Sequence, residues 1–170
     1  MSLAMMSTSV LAASANTVQF QGEVNAQTCT VNINGNSAAP IVLLPTVSTG
    51  SLSTAKSTAG DTKFTVNVTG CNTTDAASIS TVLAGNNITT NSNLGNSGGT
   101  ATNVSIQILD SDGSTALAFV NGSTVKTKQF TKAASSATAS QDLTARYYAE
   151  AADVTPGTVI ASAQYSISYN

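Results

Sequence analysis

FTVNVTGC, residues 64–71, places Phe64, Val66 and Val68 on one side of an extended chain and Thr65, Asn67 and Thr69 on the other. A period of two is the mark of a half-buried β-strand, and β-branched and aromatic residues suit its pleated surface. Gly70 closes the element and Cys71 ends it. The only other cysteine, Cys29, opens a second alternation, in which Cys29, Val31 and Ile33 are separated by Thr30 and Asn32. That run stops at Asn34-Gly35, a two-residue hairpin signal.

The same texture extends in both directions. Upstream, Val18, Phe20, Val24 and Ala26 alternate with Gln19, Gln21, Glu23 and Asn25, and Gly22 stands where the apolar face expects a side chain. Residues 41–44 are apolar and bracketed by Pro40 and Pro45, which suits an edge or switching strand. Downstream, strands are predicted over residues 78–84, 104–108, 117–120, 125–130 and 143–149, the last with Leu143, Ala145, Tyr147 and Ala149 on one face. Residues 85–103 form a polar Gly/Asn/Ser loop, and residues 133–140, all Ala, Ser and Thr, read as another. A final strand is predicted over residues 158–169, with Ala161, Ala163, Tyr165, Ile167 and Tyr169 on one face. No segment carries a helical period. Many short strands with turn signals between them predict an all-β chain, a sandwich or barrel, in one domain.

Composition excludes several classes of function. Charged residues are 8% of the 170-residue chain, the formal net charge is −2, and His and Trp are absent. Without His, neither a Ser-His-Asp triad, a Cys-His dyad nor the usual zinc sets can be assembled. Six Lys+Arg against eight Asp+Glu leave no basic stripe for nucleic-acid phosphates. Asp110-Ser111-Asp112-Gly113 resembles the opening of a calcium loop, but Asn121 stands where the bidentate Glu is needed, so a turn is the reading. The sequons at Asn67, Asn72, Asn87, Asn103 and Asn121 are expected by chance in a chain this rich in Asn, Ser and Thr. No catalytic residue, cofactor, metal site or small-molecule substrate is expected.

The N-terminus suggests a compartment. Residues 3–12 are modestly apolar and precede Ala13-Ser14-Ala15, which has the form of a signal-peptidase site. The basic start of such a signal is missing, since the first basic residue is Lys56. Residues 1–15 therefore read as a secretory signal truncated at its start, the alternative being a plain N-terminal tail. In an exported protein, an isolated pair such as Cys29 and Cys71 reads as a disulfide; two free thiols are the alternative in a cytosolic one.

Two features stand above this background. The run over residues 18–26 carries Gly22 inside a strand pattern, a sign of a bulge or of close approach by another backbone. The C-terminal run stays patterned to the penultimate Tyr169, although chain ends normally fray. On periodicity alone, two ordinary terminal strands of a sandwich account for both.

The residues nevertheless resemble a known family. GEVNAQTCTV (residues 22–31), LLPTVST (43–49) and FTVNVTGC (64–71) are similar to the first half of a chaperone–usher fimbrial subunit, closest to the type 1 major subunits. ATNVSIQILD (101–110), LTARYYA (143–149) and TPG…ASAQYSISY (155–169) are similar to its second half. The resemblance spans residues 17–170 and includes Gly22 before Cys29, Gly157, and the penultimate Tyr169. It implies an immunoglobulin-like β-sandwich over residues 28–170 that lacks its own final strand, preceded by a donor-strand arm over residues 16–27. Val18, Phe20, Val24 and Ala26 of the arm would fill a groove in a neighbouring subunit, with Gly22 at the tight point. Gly157, Ala161, Ala163, Tyr165, Ile167 and Tyr169 would form the strand that pairs with a periplasmic chaperone. An outer-membrane usher would then exchange that chaperone for the next subunit, building a surface fimbrium that contributes to adhesion. A minor adaptor or terminating subunit, and a self-contained secreted β-sandwich binding module, are the alternatives.

Overall fold

The computed structural model describes residues 29–169, which form nine strands and one short 3-10 turn. Residues 1–28 lie outside the described residues, and with them Val18, Phe20, Gly22, Val24 and Ala26.

One sheet is built on the strand that contains residues 64–69. Strand β2 (Thr58–Thr69) pairs on one side with β1 (Thr30–Ile33) and on the other with β8 (Ala139–Ala149). Beyond β8 come β5 (Val104–Leu109) and β4 (Leu94–Gly95), giving the antiparallel order β1-β2-β8-β5-β4. The second sheet centres on β3 (Ala77–Gly85). Strands β6 (Val125–Lys126) and β7 (Phe130–Lys132) follow one another along β3, and β9 (Ala163–Tyr169) pairs with β3 as well.

The alternation decides what lies between the sheets. Phe64, Val66 and Val68 are buried, and so are Leu143 and Ala145 of β8, while the half-buried Thr65 of β2 and the exposed Asp142 of β8 bond to each other. Register places Phe64 opposite Leu143 and Ile33 opposite Val66, so inward side chains meet across strands. Leu83 from the second sheet joins Ile106, Ile108, Leu117 and Phe119 in the same core cluster. Asn34-Gly35 makes the predicted hairpin turn: both residues have positive φ, 50° and 82°, and Ile33 N–H donates to Asn36 O.

Several predicted strands differ in the structure. Residues 41–44 join no ladder, since Pro40 and Pro45 remove donors on either side; the segment is nonetheless two-sided. Val42 and Leu44 pack against the core, whereas Ile41 and Leu43 are 81% and 86% exposed. Residues 117–120 form no strand because their amides diverge, Leu117 donating to Ile108 O and Phe119 to Ser92 O. The element predicted over 125–130 is split into β6 and β7. Val82 faces Lys126 while Ile79 faces Phe130, so one residue is extra on the outer strand, a bulge. The polar loop 85–103 contains the short β4. The last strand starts at Ala163, not at 158, so Gly157 and Ala161 fall outside β9. The backbone of residues 158–162 is instead bonded to a loop.

Candidate interaction cleft between two sheet edges

Strand β1 ends the first sheet, and β9 pairs with β3 and no other strand among the described residues. Both edges lie on the same side of the sandwich. They touch at one end, where Cys29 N–H donates to the Tyr169 hydroxyl at 3.1 Å. Further along they part, and a surface cleft of about 450 Å³ opens between Val31, Ser37, Ala38 and Pro40 on one wall and Ala163, Gln164 and Tyr165 on the other. None of these seven residues is charged.

The floor of this region is an apolar stripe that the sandwich only half covers. Val31, Val42 and Leu44 from the β1 side pack against the main core but remain partly exposed, as do Val159, Ala161, Ala163 and Tyr165 from the β9 side. Towards the other end Ile167 and Tyr169 pack in the same way against Val68, Cys71 and Ile79. An ordinary two-sheet core buries its inner faces on both sides. Here a row of inward-facing side chains runs beside two edges that present unpaired backbone groups, a template for pairing with another chain.

The structure places the predicted site residues as follows. Cys29 and Cys71 are disulfide-bonded, tying the residue before β1 to the second residue after β2. Ala163, Tyr165, Ile167 and Tyr169 share the half-buried face of β9, and the alternate Gln164 and Ser166 are exposed. On the same strand Ser168 is buried and accepts from Lys126 Nζ at 2.9 Å. Ala161 continues the half-buried face although it precedes β9. Gly157 approaches the 96–102 loop closely: a Cβ there would lie 2.5 Å from Ala101 N, so a side chain does not fit. The five arm residues lie outside the described residues.

Three arrangements were not legible as sites. Asn96 uses its whole amide, accepting from Gly99 N and Ile160 N and donating to Ala101 O and Thr158 O. The Gly98-Gly99 dipeptide beside it was the available signal, because paired glycines mark close backbone approach. The second is Glu150, whose carboxylate collects Ser105 Oγ, Thr89 Oγ1, Asn91 Nδ2 and Asn93 Nδ2. Burial pushes this carboxyl up, but the four hydrogen bonds outweigh it and hold the group below its ordinary value. The third is Gln141, a buried β8 side chain that reaches the facing sheet. In the Asp110–Gly113 turn, Asp112 accepts from Lys128 Nζ, Thr115 Oγ1, Thr115 N and Ser114 N, and those donors hold its carboxyl well below the usual range. Among the described residues no three His, Cys, Asp or Glu side chains gather to hold a metal ion.

An immunoglobulin-like β-sandwich with two neighbouring open edges is the class of molecule this geometry defines. The family model for fimbrial protein matches residues 18–170, and the chain belongs to that family. It is 34% identical over 171 residues to the major fimbrial subunit SMF-1 of Stenotrophomonas maltophilia, covering 98% of this chain and 100% of the relative. Among solved structures, the P pilus rod subunit PapA is similar in fold with a TM-score of 0.60 at 18% identity, covering 83% of this chain and 99% of PapA. The antigen and type I fimbria protein of Burkholderia pseudomallei superposes with a TM-score of 0.57 at 22% identity, over 84% of this chain and 95% of the other.

Proposed function

We propose that this chain is a structural subunit of a surface fimbrium, polymerising head to tail and contributing to cell adhesion. The arm at residues 16–27 of one copy lies in the cleft of the next, supplying the strand that its sandwich lacks. Before assembly, a periplasmic chaperone occupies the same cleft through β9, and an outer-membrane usher hands the subunit on. This mode, donor-strand complementation, is an established form of β-strand addition in which backbone bonds give affinity and alternate side chains give specificity. Head-to-tail contacts of this kind do not close, which is what a filament requires.

The observation that carries the reading is the half-buried apolar stripe between two unpaired edges. Val18, Phe20, Val24 and Ala26 have the spacing to cover it, and full burial of a large apolar side chain contributes about 1.5–3 kcal/mol. Gly22, with no side chain of its own, is assigned to the tightest point of that contact.

Deleting residues 16–26 tests this in cells that carry the chaperone and usher. The variant is expected to fold and be captured by the chaperone yet to extend no fibres under the electron microscope. Fibres of normal length from the deletion variant would overturn the proposal.

A further inference from the structure

Strand β9 by itself is shorter than the strand it is proposed to receive. At about 3.3 Å per residue, Ala163 to Tyr169 spans about 20 Å, whereas the alternating run from Val18 to Ala26 needs about 26 Å when extended. In side chains the mismatch is the same. The arm has five inward positions, counting Gly22, and β9 offers the four residues Ala163, Tyr165, Ile167 and Tyr169.

The missing length lies in the segment just before β9, held by a clasp from the 86–101 loop. Thr158 N donates to Thr100 Oγ1 at 3.1 Å, and Thr158 O accepts from Ala101 N at 3.0 Å and Asn96 Nδ2 at 3.2 Å. Ile160 N donates to Asn96 Oδ1 at 2.9 Å, and Ile160 O accepts from Ser97 N at 3.0 Å. Ser162 O accepts from Asn86 N at 3.3 Å. The even-numbered residues are thus satisfied on the loop side. Successive residues of an extended chain direct their backbone groups to opposite edges, so those of Val159 and Ala161 face away from the clasp. No backbone hydrogen bond to either residue is found among the described residues. Their side chains continue the half-buried stripe begun in β9. Gly99 makes the close packing possible, since a Cβ there would collide with Thr158 O.

We infer that Asn96 is a positioning residue for strand uptake. By doing the work of a neighbouring strand for Thr158 and Ile160, it lengthens the receiving edge to Val159–Tyr169, about 33 Å, and so sets how far along that edge the incoming strand pairs. The inference rests on the proposed occupation of this edge by residues 16–27 of a second copy.

The test uses the full chain and a synthetic peptide of residues 16–27, read by residue-resolved hydrogen exchange. In the wild type, the peptide is expected to protect the amides of Val159 and Ala161 together with those of the open edge of β9. Asn96→Ala is expected to keep protection along β9, to lose it at Val159 and Ala161, and to raise the peptide dissociation constant about tenfold. Thr100→Val, which removes only the hydroxyl contacts to Thr158, should act in the same direction more weakly, and it serves if Asn96→Ala does not fold. Wild-type protection confined to residues 163–169 overturns the inference while leaving the cleft assignment standing. No protection anywhere from 159 to 169 overturns both. Peptide binding by Asn96→Ala with unchanged affinity and full protection at Val159 and Ala161 removes the role given to Asn96.

Discussion

Glu150 shows how much one side chain can organise in a molecule with little charge. Its carboxylate stands where β8 ends and gathers donors from Thr89, Asn91 and Asn93 of one loop and from Ser105 of β5. Asn93 Oδ1 then accepts from Gln107, whose own Oε1 accepts from Arg146. A polar chain therefore links the loop before β4 to the outer face of the first sheet. Because the folded-state value of Glu150 lies below its ordinary one, the unfolded chain takes up its proton first as pH falls. The contribution is accordingly present above the ordinary carboxyl range and is lost as pH drops through the lower, folded value. Glu150→Gln should therefore reduce the melting temperature at pH 7, and the gap from wild type should narrow as the solution is taken down towards pH 3. A gap that stayed constant or widened on acidification would show that ionisation of Glu150 is not what holds the loop.

At the scale of elements, the irregular strand facing β3 is held by a residue from the opposite sheet. The bulge between β6 and β7 leaves Thr127 and Lys128 out of regular pairing, and Gln141 spans the gap. Its Oε1 accepts from Thr127 Oγ1 at 2.9 Å and Thr81 Oγ1 at 3.3 Å, and its Nε2 donates to Lys128 O at 2.8 Å. Gln141→Leu keeps the volume but takes the acceptor from the buried Thr81 hydroxyl, while Thr127 Oγ1 keeps Lys128 O as a partner, so a loss of about 1–3 kcal/mol in denaturant unfolding is expected; an unchanged midpoint would mean water replaces the amide. Gln141 also explains which elements the sequence could reveal. In sequence the apolar residues of β2, β5 and β8 recur at every second position, so these strands followed from period alone, although β5 is buried on both faces. The bulged strand, the 117–120 segment and the 41–44 segment depend on partners far along the chain, which local alternation does not report. The half-buried stripe was legible because it is periodic from Ala161 to Tyr169. The clasp at Asn96 was not, since an asparagine in an Asn-rich loop carries no distinguishing pattern and two of its four partners, Thr158 and Ile160, lie more than 60 residues along the chain.

For the whole molecule, low charge and an uncharged cleft have one consequence. The cleft walls carry Val31, Ser37, Ala38, Pro40, Ala163, Gln164 and Tyr165, and the arm proposed to fill it holds Glu23 as its sole ionisable residue. The Cys29–Cys71 disulfide closes a separation of 42 residues at the base of that arm, which in the chain-entropy model removes about 4 kcal/mol of unfolded-state freedom. A load along the arm thus meets a cross-linked β1–β2 pair on entering the domain. Polymer cohesion then rests on apolar burial and backbone bonds, neither of which is screened by ions. Surface ion pairs weaken steeply once the screening length falls from about 10 Å at 0.1 M salt to about 3 Å at 1 M. Fibres of this chain should therefore dissociate at nearly the same temperature across that range, or slightly higher at the upper end if the added salt is a sulfate that strengthens apolar burial. Heating purified fibres at both ionic strengths and following release of monomer by gel electrophoresis reads this directly. A fall of many degrees at high salt would mean that charge pairs outside the cleft, such as Lys128 with Asp112 or Arg146 with Asp61, have been recruited to the contact between subunits.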